Sequence, residues 1–165
     1  MTILNRESGS IHIAIANGLS NKELERGRYR LGEGITGSVV ATGEPAIVSK
    51  ISEDPRFLDR TQARMREIEK KRIELSFVCV PIKIMNEIIG ALSADREFME
   101  DLSLSDDVRL LSLVASLISQ AVAIRRNALE QVRVLASENE RLQGEITERM
   151  RYGKIIGSSH ARSSP

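Results

Sequence analysis

Few side chains in this 165-residue chain could do covalent chemistry. Its one cysteine, Cys79, stands inside an alternating apolar run, where a thiol acts as a small buried hydrophobe. A single thiol also excludes a disulfide framework and a four-thiolate zinc site. The histidines, His12 and His160, fall in a strand pattern and near the C-terminus, so neither a Ser/His/Asp set nor a histidine metal pair can be assembled. What the side chains can do is bind. From Arg56 to Arg72 seven basic residues stand against three acidic ones, Asp59, Glu67 and Glu69, the one local basic excess. It holds a single aromatic and no base-stacking pattern, which marks a solvated face rather than a nucleic-acid surface. Within it, Arg56, Arg60 and Thr61 come from a loop and a helix start, and Phe57 offers an apolar wall. Ser76 and Ser93 would add hydroxyls from neighbouring strands if they face the same side. A small dicarboxylate wants this mixture, with one guanidinium able to grip a carboxylate by two bonds.

A second constellation, Gly32-Glu33-Gly34-Ile35-Thr36-Gly37, has the spacing of a dinucleotide fingerprint. That chemistry needs a strand before the glycines and a full helix after them, so that phosphate sits on the helix N-terminus. Glu25 to Arg30 do not read as a strand, and a helix has room only from Gly37 to Ala41 before Thr42-Gly43-Glu44-Pro45 stops it. The expectation is a decoy, with glycines that let a short helix pack closely on a sheet.

The elements that must position these residues begin with a hairpin. Met1 to Asn5 and Ile11 to Asn17 are short apolar runs joined by Arg6 to Ser10, and Ile11, Ile13 and Ile15 alternate with His12, Ala14 and Ala16. A charged link covers Asn21 to Arg30, and Ala46 to Ser49 is a short strand. A polar helix is expected from about Asp59 to Glu74, after the turn at Ser52 to Phe57. From Leu75 to Asp95 the alternation of Val78, Val80, Ile82 and Ile84, broken at Met85-Asn86-Glu87 and resumed from Ile88, predicts a second hairpin. Its second arm is apolar on both faces, as in a central strand covered on both sides. Pro81 removes a ladder donor and predicts a bulge or an unpaired edge in the first arm.

From Ser105 to about Met150 the chain reads as one long helix, with Ser103 and Asp106 spaced as a capping box. Written as heptads, one core position holds Leu111, Ile118, Arg125, Val132, Asn139 and Ile146. The other holds Val114, Ala121, Ala128, Leu135, Leu142 and Arg149. A seam in register over about five heptads predicts a supercoiled pair of helices. Asn139 at a first core position favours a parallel, in-register homodimer, where the two amides meet. Arg125 divides the seam into a part packed on a domain and a part beyond it.

Composition sets the outer bounds. A chain of 41% hydrophobic and 28% charged residues supports one domain with an appendage, and a net charge of +1 gives no broad nucleic-acid surface. No uninterrupted run of 18 apolar residues occurs, so no membrane span is expected, and the N-terminus lacks a secretory pattern. The cytoplasm is the expected location.

Several segments together resemble a known family. Leu31-Gly-Glu-Gly-Ile-Thr-Gly-Ser-Val-Val-Ala-Thr-Gly-Glu-Pro45, Asp54-Pro-Arg-Phe57, Ser76-Phe-Val-Cys-Val-Pro-Ile82 and Ile89-Gly-Ala-Leu-Ser-Ala-Asp95 resemble a GAF domain. More narrowly they resemble the amino-terminal GAF domain of NifA-type activators, which drive nitrogen-fixation genes with sigma-54 RNA polymerase. The resemblance spans about Met1 to Arg126. Tyr152-Gly-Lys-Ile-Ile-Gly-Ser-Ser159 is similar to the opening of the AAA+ ATPase module of such activators, and the likeness stops before any Walker motif or helix-turn-helix. The usual first GAF helix is missing, and a strand at residue 1 implies a natural protein that continues upstream.

The resemblance implies an α/β (α+β) fold: a central antiparallel sheet of five or six strands flanked by helices, with a small-molecule cup on one face. A long C-terminal helix would form a dimerising coiled coil. It implies a sensor at 1–126, a coiled-coil linker at 127–151, and at 152–165 the start of a truncated AAA+ module or a disordered tail. The implied role is a non-catalytic sensing domain that controls the adjoining ATPase, with 2-oxoglutarate as ligand and a PII-type or NifL-type protein as partner. Such a fragment itself binds neither nucleic acid nor membrane. The alternative is a dimerisation module with an empty, vestigial pocket. GAF domains that reduce free methionine sulfoxide need more than one thiol, which this chain lacks. The cyclic-nucleotide signature needs lysine after Asn86, where Glu87 stands.

Overall fold

A computed structural model describes residues 1–101 and 103–159, with side chains up to residue 148. Six strands form one antiparallel sheet in the order β3-β2-β1-β6-β5-β4. They are β1 (Thr2–Asn5), β2 (Ser10–Ile13), β3 (Arg28–Arg30), β4 (Ala46–Val48), β5 (Leu75–Ile84) and β6 (Glu87–Glu97). The helices are α1 (Asn21–Arg26), α2 (Gly34–Thr42), α3 (Ala63–Lys71) and α4 (Ser105–Ser159). The chain divides into two compact units, Met1–Val122 and a second that begins at Ala123.

The β5–β6 hairpin is the spine of the first unit. β5 pairs with β6 from Leu75↔Glu97 to Ile84↔Glu87, and the register shifts between Ile82 and Lys83, one residue beyond Pro81. A proline that cannot donate to the ladder sits beside the irregularity it predicts. Because side chains alternate, the two faces of β5 bury two different cores. Leu75, Phe77 and Cys79 pack with Ile35, Val39 and Val40 of α2 and with Ile11 and Tyr29. Val78, Val80 and Ile82 pack against Ala115 of α4, with Val108, Leu111 and Ile118 around it. β5, rather than β6, is the strand buried on both faces.

Three local expectations change. Glu25 to Arg30 do contain structure, since α1 ends at Arg26 and Arg28–Arg30 forms edge strand β3 against β2. Its signal is a single buried aromatic, Tyr29, between two exposed arginines, too short to show a period. α2 starts at Gly34, three residues earlier than expected, and ends at Gly43 in the left-handed region (φ 75°). A strand and a helix thus flank the glycines, yet β3 pairs antiparallel on the sheet edge. A dinucleotide turn needs a parallel βαβ unit, so the fingerprint remains a decoy. A Cβ at Gly37 would strike the Arg30 carbonyl, so the glycine serves close packing.

The third change concerns α4. It begins at Ser105, so Ser103 is too far upstream to be the cap of a box with Asp106; the Ser103 hydroxyl accepts the Ser105 amide at 3.3 Å instead. Asp106 and Asp107 still place acid in the first turn, where the helix dipole favours it. Leu111 and Ile118, expected in a dimer seam, turn onto the sheet. The face left uncovered in the first unit carries Leu110, Leu113, Val114 and Leu117, with Leu110 63% and Leu113 65% exposed. In the second unit Val132, Leu135, Leu142 and Ile146 are exposed as a seam requires. Arg149 and residues 160–165, which carry seam and tail expectations, lie outside the described side chains or residues.

The stretch Ser105–Glu148 holds a window of mean hydropathy 1.6, long and apolar enough by composition to cross a membrane, although no uninterrupted apolar run is present. The apolarity is two-sided: one face lies on the sheet and the other is uncovered. A face committed to a sheet is not free for lipid.

β1 reaches the hairpin through Thr2↔Ala91 and Ile3↔Gly90, and a Cβ at Gly90 would collide with the Thr2 carbonyl oxygen. Gly90→Ala is expected to lower stability by about 3 kcal/mol, the upper range for overpacking, because a backbone atom must move. The urea midpoint of the variant measures it; an unchanged midpoint would mean that β1 yields freely.

Candidate functional site

A cavity of about 590 Å3 opens on the face of the sheet that carries Phe77 and Ser93, and Leu92, Ala94 and Ile118 of the other face also line it. Phe57 and Phe77 make its aromatic wall, with ring centroids 5.2 Å apart and planes at 74°. Tyr29 and Thr36 close it from β3 and α2, and Ser93 lines its floor. Arg64 of α3 enters from above. Its Nε donates to both Asp95 oxygens, at 2.9 and 2.8 Å, and its guanidinium carbon lies 5.7 Å from the Phe77 ring centroid. Burial works against the Arg64 charge, and Asp95, by charge and hydrogen bond, leaves it above its ordinary value. The two terminal nitrogens of Arg64 make no hydrogen bond among the described residues, and no side-chain nitrogen there is both fully buried and unpartnered. They are therefore not sealed from solvent. Tyr29 is also raised, mainly by burial.

Of the residues singled out for this role, Phe57 and Ser93 line the cavity. Ser76 faces the other way. It lies opposite Arg96 in the ladder, while Ser93 lies opposite Cys79, and opposed residues share a face. The Ser76 hydroxyl donates to the Ser49 carbonyl at 2.6 Å, and Arg96 reaches Asp107 of α4 at 2.6 Å. Thr61 is fully buried outside the cavity lining and donates to Asp59 at 2.8 Å. Arg56 is a surface residue gripped by Asp54 through Nε and Nη2, at 3.0 and 2.7 Å. Arg60 pairs with Glu33. Both arginines are matched by acids before any ligand arrives.

The sequence signal for Arg64 is a matter of where the helix starts. Ile68 packs on the core, and Arg64 stands four residues before it, on the same helical face. A helix from Asp59 would have put Arg60 there as well. Instead α3 begins at Ala63, behind a left-handed Gln62 (φ 61°), and Asp59 caps it by accepting the amides of Arg64 and Met65 at 2.9 Å. Arg60 therefore lies off the helix.

Cys79 is fully buried and burial pushes its thiol up to about 12. A thiol so placed is inert at neutral pH. No group of three metal-ligating side chains occurs among the described residues.

The GAF domain family's sequence profile matches residues 2–122, the span of the first compact unit. The chain belongs to the GAF family. It is 39% identical over 159 residues to the nitrogen fixation protein VnfA of Azotobacter vinelandii, covering 96% of this chain and 30% of that protein. It is 36% identical over 159 residues to a Nif-specific regulatory protein of Herbaspirillum seropedicae, covering 96% and 29%. The chain thus spans about 30% of the length of such relatives and fits the GAF domain of a NifA-type activator. Among solved structures, the A. aeolicus Nlh2 GAF domain in an inactive state aligns with a TM-score of 0.60 and 25% identity, over 75% of this chain and 72% of that one.

One more charged group supports the cavity wall of this GAF domain. Glu23 of α1 is buried; its Oε2 accepts the Ser20 amide (2.8 Å) and hydroxyl (2.7 Å), and its Oε1 accepts from Arg66 of α3 (2.6 Å). The Ser20 amide first, then the Ser20 hydroxyl and Arg66, lower its carboxyl to about 2. A depressed carboxyl stabilises the fold above its unfolded value of 4.5, and that contribution fades as pH falls towards 2. The stability gap between the wild type and Glu23→Gln is therefore expected to be full near neutrality and to shrink steadily below pH 4.5. Urea midpoints across that range test it; a constant gap would contradict the assignment.

Proposed function

We propose that this chain is the signal-sensing domain of a sigma-54-dependent activator of nitrogen-fixation genes, and that occupancy of its cavity controls an adjoining AAA+ ATPase. The observation that carries the reading is Arg64: a guanidinium lining an aromatic-walled cavity, tied to Asp95 by one nitrogen only, with the rest of its fork unpartnered among the described residues. That fork suits a carboxylate, and Ser93 and Tyr29 suit the oxygens of a small polar metabolite. A small anion is the ligand class, and 2-oxoglutarate is its first candidate. The relatives, a nitrogen fixation protein and a Nif-specific regulatory protein, support the setting. A PII-type or NifL-type protein belongs to this reading as a docking partner, and the cytoplasm as its location. The empty-pocket alternative keeps only the dimer.

Calorimetry with millimolar 2-oxoglutarate separates the two. The wild type and Arg60→Ala are expected to give equal heat, since Arg60 is occupied by Glu33. Arg64→Gln is expected to weaken binding at least tenfold, which corresponds to about 1.4 kcal/mol. No heat from any of them leaves the dimerisation module.

The domain acts in this reading as a parallel homodimer. Val132, Leu135, Asn139, Leu142 and Ile146 supply the seam of the second unit; in the first, Val114 and Ala121 stay and Leu117 takes the place of Leu111 and Ile118. Orientation follows from the flanks. Glu138 and Glu145 line one side of the second seam, and Ala136 and Gln143 the other. Parallel pairing sets acid against neutral residues, whereas antiparallel pairing sets acid against acid. Asn139→Leu is expected to raise stability and to admit oligomers beyond the dimer; light scattering that finds a monomer at every concentration removes the seam.

A further inference from the structure

The cover of the cavity is held in place by charge. α3 has no fully buried residue, and only its half-buried Ile68 touches the core. Both its ends turn through the left-handed region at residues other than glycine, Gln62 (φ 61°) and Arg72 (φ 55°), where side chains make that backbone costly. Two ion pairs tie it down, Arg64 to Asp95 on β6 and Arg66 to Glu23 on α1.

Outside α3 runs a groove of about 300 Å3. It shares Ala16, Asn17, Leu19, Arg64 and Asp95 with the cavity, so the Arg64–Asp95 pair borders both spaces. The groove carries Arg64, Arg66, Lys70 and Lys71; Asp95, Glu23 and Glu67 pair with three of them, and Lys70 supplies the surplus positive charge. Lys71 is taken up by Glu67, while Lys70 makes no ion pair among the described residues. Focused positive charge beside a mouth raises the local concentration of anions.

We propose that the Arg64–Asp95 pair is a gate, and that the Lys70 groove is the entry by which an anion reaches the cavity. The incoming carboxylate first takes the unused terminal nitrogens of Arg64 and then displaces Asp95 from Nε. The guanidinium is never left unpaired, so the exchange avoids the large cost of a buried lone charge. Loss of the Asp95 contact releases α3 at its Gln62 and Arg72 turns and joins the groove to the cavity. This deepens the metabolite reading and rests on it only for what enters.

Thiol labelling tests the gate without any metabolite. Ser93→Cys places a thiol on the cavity floor, and the wild type, whose only thiol is the buried Cys79, sets the blank. Two methanethiosulfonates of similar size are compared, one ending in sulfonate and one in trimethylammonium. With each rate taken relative to that of a free thiol, the anionic reagent is expected to react about tenfold faster at low salt, and the advantage to vanish at about 1 M salt. Lys70→Gln is expected to slow the anionic reagent several-fold and to speed the cationic one. Glu23→Gln, which unties α3 from α1, is expected to speed both reagents and to raise hydrogen exchange in 63–71 while β5 stays protected. Thr36→Cys, on the opposite wall, is expected to give the same order and serves if Ser93→Cys does not fold. Equal rates for the two reagents, or rates indifferent to both Lys70 and Glu23, overturn the gate. Calorimetric silence with 2-oxoglutarate would remove the ligand and leave these rates as they are, so the two failures are distinguishable.

Discussion

The pairing of β5 with β6 decides which side chain meets which neighbour. Its rungs run from Leu75↔Glu97 to Ile84↔Glu87, and each rung assigns two residues to one face. A shift of β5 by a single residue would exchange its faces, sending Phe77 and Cys79 under α4 and Val78 and Val80 into the cavity. Burial fixes the choice, because β5 is apolar on both sides and each side has its own set of partners. The bulge beyond Pro81 absorbs the missing donor near one end of the ladder, away from the residues that form the cavity.

With the faces settled, charge arranges the periphery. Three acids reach across element boundaries to an arginine: Asp95 to Arg64, Glu23 to Arg66 and Asp107 to Arg96. The last pair docks α4 on the sheet. The first two attach α3, which contributes almost nothing to the hydrophobic core. Glu23 is buried and the Arg64–Asp95 pair is partly so, which makes these contacts firmer than surface ion pairs, yet beyond Ile68 α3 has no apolar anchorage behind them. The same arginine that holds it lines the cavity. A weakly held element beside a rigid one is where local opening occurs, and here α3 is the weak part and the β5–β6 hairpin the rigid one.

The local pattern by itself determined the hairpins, the bulge near Pro81, the buried thiol and the long helix with its Asn139. Each rests on a period of two or of about 3.6 residues, or on one residue's backbone chemistry, and such signals survive without knowledge of neighbours. Shorter pieces did not show. β3 has three residues and one buried aromatic, and α1 has six, too few for any period to register. Tertiary structure alone decided which arginine enters the cavity. Seven basic residues lie between Arg56 and Arg72, and their identity says nothing about which of them an acid elsewhere will claim. Asp54 takes Arg56, Glu33 takes Arg60, and the start of α3 at Ala63 turns Arg64 inward to Asp95, 31 residues away in sequence. The seam of α4 was divided in the same way. Heptad spacing cannot distinguish a face that packs on its own sheet from one that meets a second helix, because both bury the same kind of side chain. Only the position of β5 beneath α4 assigns Leu111 and Ile118 to the first task and leaves Leu117 for the second.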